Sequence, residues 1–531
     1  MGGRFFRDLL ILSLSSLFTR GVGVVWNGYL SRRMGAGAMG LHSVVLNLYG
    51  FAVTIAVAGI GLAVTRLVSE REAEGDSAGV GSVVSRALLC VSVSGGGVAF
   101  LLLVCAHPFG RFLLGDAETA PLVRALALPA FSIAVSAVFA GYFTARRRAW
   151  INVASGLLEL FLRIVLTLRL LSSPSGATGS GAVLRLLLGG GLAEAISALF
   201  LLLCYLLDRR GKRAVGGGGL SRRILSISVP VALSGCLRAG LSTLGHLLIP
   251  FSLCRSGIDR ATALASYGTL AGMALPVVLY PMAILSSAAS LLVPEFSRLH
   301  ASGDRAGIVL LARRTLSVTL CFSLGCFSVL AAFSEPLGRL LFGSADAGRF
   351  IAFLAPVVPI MFLDHVTDAA LKGLGEQVAV MWINIADSAL TVLLILFLLP
   401  RMGILGYILM IALTELFNYA CSLRRLIRVS GYSPAPLRAI PPLLYAALAC
   451  LFARSFLVPG VRSFVSLSVG GTATLALFSL PFLLLRRTGR KMRRDLDKNE
   501  KKRYNKISYC GAVYPRPVCE ENDGSPETHQ R

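Results

Sequence analysis

Apolar residues in this chain of 531 residues form long continuous stretches that are separated by short polar connections. Stretches of about 20 or more apolar residues recur from Leu9 to Leu485, and each could cross a bilayer as a helix. A membrane β-barrel would show short segments of alternating polarity instead. The pattern predicts an all-α polytopic membrane protein with about fourteen transmembrane helices, at residues 8–30, 41–67, 83–106, 121–145, 150–171, 183–207, 223–253, 263–293, 308–333, 350–371, 377–399, 404–428, 438–457 and 463–485.

Two short motifs recur at one separation, which indicates an internal repeat. GDSAG at 75–79 matches GDRAG at 303–307, and 303 − 75 = 228. PFGRFLLG at 108–115 matches PLGRLLFG at 336–343, and 336 − 108 = 228 again. We call this common separation the repeat offset. Six predicted spans separate the members of each pair, and an even number keeps both halves in the same membrane orientation.

The repeat predicts four parts in the chain, with the first two arranged around a pseudo-two-fold axis along the membrane normal. Two parallel lobes of six helices each would occupy residues 1–210 and 220–430, joined by the glycine run at 216–219. An extra helix pair at 437–486 lies outside the repeat. The polar, basic tail at 487–531 is predicted to be disordered and cytoplasmic.

The distribution of charged residues agrees with the predicted spans and connections. The mean hydropathy is +0.73 and the formal net charge is +25, and the arginine clusters fall in alternate connections and after the last span. Positive residues mark cytoplasmic loops, so both termini are predicted to be cytoplasmic, with the first span kept as an uncleaved helix. Membrane topology explains the charge without nucleic-acid binding. The eleven cysteines are scattered without a CxxC pair, so neither a metal site nor a cofactor is expected.

Charged residues inside spans are costly, and they are the candidates for function. Ser13, Ser16, Arg20 and Asn27 share one face of the first span, and Arg238 lies in the seventh span, the counterpart of the first. We interpret Arg20, Asn27 and Arg238 as substrate-binding residues for an anion. The alternative for each arginine is a buried structural pair or a side chain that reaches the surface.

Other spans contain further polar residues. Glu159 and Arg163 are one turn apart and are expected to neutralise each other. Glu194 is the one charged residue near the middle of the sixth span, so we expect it to pair with a positive charge on another helix. We count it with the substrate-binding candidates. His246 is expected to be a packing residue.

Carboxylates concentrate in the last three spans of the second lobe. Asp364 and Asp368 lie on one face of the tenth span, Asp387 is in the eleventh, and Glu415 is in the twelfth. A carboxylate in a dry cavity can bind and release protons, so these four are ion-coupling candidates. The sequence contains no P-loop, HExxH or GxSxG motif, so neither an enzyme nor an ATP-driven pump is predicted.

Several segments resemble a known family. They are SRRMGAGAMGLHSVVLNLYGF (31–51), LVSE (67–70), GLLELFLRIVL (156–166), LYPMAILSSAASLLVPEFS (279–297), LKGLGEQ (371–377), INIADSAL (383–390), LLPRMGILGY (398–407) and SLRRL (422–426). In order and across residues 5–485, they resemble the stage V sporulation protein B-like branch of the polysaccharide biosynthesis family. That family belongs to the multidrug/oligosaccharidyl-lipid/polysaccharide exporter superfamily.

The resemblance implies a two-lobed, MATE-like flippase that works by alternating access in the bacterial cytoplasmic membrane. Its cargo would be a polyprenyl-diphosphate-linked saccharide, such as a peptidoglycan precursor or a polysaccharide unit, moved with or without a role in sporulation. Related flippases hold the diphosphate with cavity arginines and the tail in a groove at the last two helices. Arg20 matches the first-span arginine of this branch. Asn27 replaces a common arginine, which shifts the expected diphosphate contacts to Arg20 and Arg238. Asn47 replaces a common proline.

Two alternatives stay open. A drug or cation antiporter of the same fold would need the carboxylates and not Arg20. A glycan polymerase would need a long catalytic loop, and no predicted loop has that length. Membrane lipids are the remaining expected partners, and the protein is expected to be a monomer.

Overall fold

The computed structural model of the protein describes residues 2–112, 119–172, 179–209 and 220–433, with side chains from Phe18 onward except those of Ser77 and Phe112. All of these residues belong to one compact unit, Met1–Leu475. We call residues 2–209 the first half and residues 220–433 the second half. The predicted helix pair at 437–486 and the tail at 487–531 lie outside the described residues.

Helices make up both halves of the described chain. The first half contains α1 (Gly2–Val57), α2 (Ile60–Ala73), α3 (Ser77–Val104), α4 (Ala106–Phe112), α5 (Ala120–Ala125), α6 (Ala127–Ala145), α7 (Ala149–Leu171) and α8 (Gly179–Asp208). The second half begins with α9 (Leu220–Cys254), α10 (Arg260–Tyr267), a π-helix (Gly268–Ala274), α11 (Leu275–Leu279) and α12 (Met282–Ala301). It continues with α13 (Arg305–Leu337), a π-helix (Gly338–Phe342), α14 (Ala345–Leu354), a 3₁₀ turn (Ala355–Val357), α15 (Val358–Gly373) and α16 (Gln377–Ser430).

Ten helical segments in the described residues are long and apolar enough to cross a membrane. Two of them, Phe18–Ala73 and Gln377–Ser430, each overlap two predicted spans, so the ten segments overlap the first twelve predicted spans. The eighth predicted span, 263–293, is interrupted between α11 and α12. The helix axis breaks inside both long segments, at Gly35 (φ 82°, ψ 166°) in α1 and at Gly403 (φ 57°, ψ −135°) in α16. A positive φ of this kind is open to glycine at little cost, which explains why the breaks fall there. The fold class is confirmed, and the count of fourteen is consistent with it but stays a prediction.

The outer surface of the described helices is apolar. In α9, Leu233 is 71% exposed and Val229 is 54% exposed. In α3, Val93 is 71% exposed and Phe100 is 67% exposed. Faces of this kind are stable against lipid tails and not against water, so the chain is a multi-pass membrane protein.

The repeat is visible in local structure. Asp76 caps the start of α3, and its Oδ1 accepts a hydrogen bond from the Gly79 amide at 2.7 Å. Asp304 caps α13 in the same way, with Gly307 as donor at 2.8 Å. The two aspartates also share their backbone angles, φ −81° and ψ 80° against φ −77° and ψ 80°. The GD motif is therefore a helix cap that both halves use.

The loops before α7 and α16 extend the correspondence. α7 begins at Ala149 and α16 begins at Gln377, and these two positions are related by the repeat offset. Two residues earlier, Arg147 has φ 57° and its counterpart Gly375 has φ 83°. The first half therefore keeps a backbone turn that suits glycine while carrying an arginine there.

The halves meet where two glycines cross. Gly40 in α1 and Gly268 in the second half are related by the repeat offset, since 268 − 40 = 228. A Cβ on Gly40 would lie 2.0 Å from the Leu264 carbonyl oxygen, and a Cβ on Gly268 would lie 2.2 Å from the Ala36 oxygen. Ala36 and Leu264 are related by the same offset, so the contact is reciprocal. A local two-fold axis between the halves produces this pattern.

Arg32 makes a second contact between the halves near this crossing. Its Nε donates to the Leu341 carbonyl at 3.2 Å, and its Nη2 donates to the carbonyls of Leu340 and Arg339. These carbonyls lie in the π-helix Gly338–Phe342, whose C-terminal carbonyls carry partial negative charge that suits a cation. Hydrogen bonds from Arg32 thus join α1, just before its break at Gly35, to the second half.

Candidate functional site

Arg20 and Arg238 are cationic residues on helices of different halves. Both side chains are exposed, and neither forms an ion pair with any other residue in the described part of the chain. Arg20 lies close enough to His365 of α15 to act on its charge. The guanidinium of Arg20 therefore faces the second half, where it is available to an anion.

Open space lies beside Arg20 on the same side of α1. Gly23, between Arg20 and Asn27 in the chain, has no atom within 4 Å of the position of a Cβ. Gly21 faces the Tyr280 hydroxyl of the second half at 3.4 Å. Asn27 is partly exposed. The predicted polar face of α1 thus borders open space, while the side chains of Ser13 and Ser16 lie outside those described.

The four predicted ion-coupling carboxylates come together in the second half. Asp364 and Asp368 of α15 are each 8% exposed. The charges of Asp368, Glu415 and Asp387 all act on Asp364. We call these four residues the acidic cluster. Sequence spacing places only Asp364 and Asp368 on one face, and the fold of α16 against α15 adds Asp387 and Glu415.

Side chains of α16 hold the two aspartates of α15. Asn418 Nδ2 donates to Asp364 Oδ2 at 3.2 Å, and Ser422 Oγ donates to Asp368 Oδ1 at 3.0 Å. Asn384 Nδ2 lies 3.4 Å from Asp368 Oδ2. Within the described residues, the Oδ1 atoms of Asp364, Asn418 and Asp387 are buried without a hydrogen-bond partner. Open oxygens beside several carboxylates are suited to taking up positive charge.

A second polar cluster lies in the first half. Arg163 Nη2 donates to Glu159 Oε1, as the four-residue spacing predicts. Glu194 is 6% exposed, and its charged neighbours are Glu159 and Arg163. His42 and Tyr49 of α1 face the same group. Glu194 therefore lies beside both Arg163 and Glu159. Its role in substrate binding stays a prediction.

Other polar contacts join the halves near the glycine crossing. Asn47 Nδ2 donates to the Tyr267 hydroxyl at 3.2 Å, and this hydroxyl lies 3.3 Å from His246 Nδ1. Tyr267 stacks on Tyr407 with ring centroids 6.1 Å apart. Sequence analysis missed Asn47, Tyr267 and His365 as parts of polar networks, because a lone polar residue in a span does not disclose its partner.

A small cavity lies in the first half near the start of α3. It is lined by Glu72, Tyr142, Arg146, Tyr205 and Asp208, among others. These groups already engage one another, since Arg146 Nε donates to Glu72 at 3.0 Å and Tyr142 donates to Asp208 at 2.5 Å. We assign no substrate to it.

Comparison with known proteins identifies the class. The sequence profile of the family described as polysaccharide biosynthesis protein matches residues 5–300, more than half of the chain. The MatE profile matches residues 252–398. The chain therefore belongs to the polysaccharide biosynthesis protein family, as its resemblance predicted.

Two relatives come from Bacillus subtilis (strain 168). Stage V sporulation protein B is 26% identical over 418 residues, which cover 76% of this chain and 79% of that protein. Sporulation protein YkvU is 22% identical over 431 residues, covering 78% and 94%.

Solved structures share the fold. An inward-facing multidrug resistance MATE family transporter of the MOP superfamily superposes with a TM-score of 0.65 at 13% identity, covering 80% of this chain and 100% of that one. The lipid II flippase MurJ in an inward closed conformation also gives 0.65, at 12% identity, covering 89% and 98%. At these identities the likeness establishes the fold.

Proposed function

We propose that this protein is a flippase that moves a lipid-linked saccharide across a bacterial cytoplasmic membrane by alternating access. The observation that carries the proposal is Arg20, which is exposed beside open space and has no ion-pair partner among the described residues. An arginine within a span is retained at a cost, and a guanidinium suits a diphosphate through bidentate hydrogen bonds. Arg238 of α9 is the second proposed diphosphate ligand, with Asn27 as a polar neighbour.

The relatives support this cargo. The family is named for polysaccharide biosynthesis, one structural neighbour is a lipid II flippase, and two relatives are sporulation proteins. A diphosphate–sugar head cannot cross hydrocarbon, while a polyprenyl tail can stay in it. A polar cleft between two lobes, open sideways to lipid, meets both needs. Spore-envelope assembly is the setting in which to look first.

The proposed topology indicates which side of the transporter is open and which is closed. With both termini cytoplasmic, the connections at 32–40, 254–262 and 334–349 lie outside. The Arg32 contact and the crossing of Gly40 and Gly268 lie at or beside these connections. The outer side is then closed, and the cleft beside Arg20 opens inward. We propose a monomer that acts without a cofactor or enzymatic chemistry, with lobes at 1–210 and 220–430.

A drug or cation antiporter is the second candidate. The MatE profile spans residues 252–398, which include Asp364, Asp368 and Asp387. Such an antiporter would depend on the acidic cluster and transport without Arg20. We place the flippase first because an arginine free of carboxylate partners suits an anionic head, and the acidic cluster can serve either transporter as its ion-coupling site.

Reconstitution tests the function. Purified protein in liposomes is expected to translocate fluorescent lipid II, undecaprenyl-linked oligosaccharide or both, measured by loss of accessibility to a membrane-impermeant quencher. A cationic dye serves as the antiporter substrate in parallel vesicles. Translocation of the dye alone would make the antiporter correct, and translocation of none would remove the flippase proposal.

The Asp364→Asn variant is expected to lose at least about tenfold of gradient-driven transport, because an amide of the same size cannot bind and release a proton. Transport is measured in liposomes with an imposed proton or sodium gradient. The Asp346→Asn variant is the control, since Asp346 is 67% exposed and pairs with Arg349 on α14. Equal, gradient-dependent rates for both variants would exclude Asp364 from coupling.

A further inference from the structure

Each half carries a pair of neighbouring carboxylates, and one member of each pair lies at a corresponding place. Glu159 of α7 and Asp387 of α16 are related by the repeat offset, and so are the first residues of the two helices. Each acts on a second carboxylate from the next span: Glu159 acts on Glu194, and Asp387 acts on Glu415. Glu159 and Asp387 are therefore equivalent positions of the duplicated plan, while Glu194 and Glu415 are not, since 194 + 228 = 422 and position 422 is Ser422.

The halves differ in what neutralises the pair. One turn after Glu159 stands Arg163, which donates to Glu159 and also acts on Glu194. The counterpart of Arg163 at the repeat offset is Thr391, which carries no charge. In the second half Asp387 Oδ1 is buried without a hydrogen-bond partner among the described residues. One pair thus holds a cation on its own helix, and its counterpart holds a neutral hydroxyl there.

The two carboxylate pairs also differ in the charged and titratable groups around them. His42 and Tyr49 from α1 are the titratable groups that face Arg163 and Glu194 from the rest of the described first half. In the second half two more carboxylates, Asp364 and Asp368, adjoin the pair, and Lys372 is a cation that acts on Asp364. Buried carboxylates need compensating positive charge. The first half meets this need at Glu159 with Arg163, while the second half has no cation at the corresponding Thr391.

We propose that Arg163 is a built-in cation that fills, in the first half, a carboxylate site whose counterpart in the second half takes an exchangeable monovalent cation, H⁺ or Na⁺. Ion exchange is thereby confined to one half. The comparison with the second half rests on the proposed ion coupling. The first-half assignment rests on the contacts of Arg163 alone, so the two can fail separately.

The test is Arg163→Thr, which gives the first half the residue that the second half has. Binding of ²²Na⁺ to purified protein is measured at pH 8, and the thermal midpoint is measured at pH 5.5 and 8 in sodium or choline chloride. We expect the variant to bind one more Na⁺ per chain than the wild type. If the cation is H⁺, its midpoint falls by about 5 °C or more at pH 8 and recovers at pH 5.5.

Two further variants complete the design. Arg163→Lys keeps a resident cation and is expected to behave as the wild type. Adding Glu194→Gln to Arg163→Thr is expected to remove the extra Na⁺ or the pH sensitivity. An Arg163→Thr protein with unchanged binding and stability would overturn the proposal. So would an instability that neither pH, Na⁺ nor Glu194→Gln relieves. If the wild type binds no cation and Arg163→Thr gains one, the first-half assignment holds and the proposed ion coupling fails.

Discussion

The Arg20→Ala variant is expected to lose most translocation of a lipid-linked saccharide diphosphate. Hydrogen bonds from a guanidinium to a charged oxygen contribute about 1.5–3 kcal/mol, so the expected loss is roughly 10- to 100-fold. Arg20 has no ion-pair partner among the described residues, so its removal leaves no carboxylate there unpaired. The effect should therefore appear in translocation and substrate affinity while the thermal midpoint stays near that of the wild type.

The matched control for this variant is Arg298→Ala. Arg298 is 73% exposed and pairs with Glu295 within α12, so its loss should change neither rate nor fold. Arg20→Lys should keep part of the activity, because an ammonium attracts the diphosphate without the bidentate geometry. Full translocation by Arg20→Ala would exclude Arg20 as the diphosphate ligand. Combined with loss in Asp364→Asn, that result would favour the antiporter.

The second large effect is expected for Gly268→Ala. A single added methyl group would meet the Ala36 carbonyl at 2.2 Å and the Gly40 amide nitrogen at 2.3 Å, both of them backbone atoms. Overpacking of this kind costs about 1–3 kcal/mol, and here the cost falls on the closed outer side alone. The variant should favour the outward-open state and lose at least about tenfold of its translocation rate.

Labelling of a cysteine placed at Ala36, in a cysteine-free background, would measure this shift. A membrane-impermeant maleimide added outside should react faster in the Gly268→Ala protein. Gly37→Ala is the control, since Gly37 has no atom within 4 Å of its Cβ position although it adjoins Ala36. Equal labelling and transport in the two variants would show that the crossing does not form the closed contact.

The span pattern and the motif repeat predicted the fold class because both depend on local features. A long apolar run is sufficient to indicate a membrane helix, and a GD cap is sufficient to mark the start of α3 and of α13. The four ion-coupling candidates were also found from their residue type, and the structure groups them. The prediction that Glu159 and Arg163 pair needed only helical spacing.

Contacts between helices could not be predicted from the sequence. The partner of Glu194 depends on the rotation of α8 against α7, which no single span encodes. The pairing of Gly40 with Gly268 lies at the repeat offset but involves no shared motif, so sequence inspection passed over it. The sequence did not predict that His365 of α15 lies near Arg20. Arg20 belongs to α1, far from His365 in the chain, so no local pattern connects the two residues.

The glycine crossing also bears on how such a chain arose. A parallel repeat of six spans implies an ancestor in which one short chain paired with a second copy of itself. In such a homodimer Gly40 and Gly268 would have been the same position in the two copies, close to the symmetry axis, and a side chain at that position would have clashed in both copies. A glycine in both halves today is what inheritance from such an axis would leave. Fusion of the genes then freed every other position, Arg163 and Thr391 among them, to diverge.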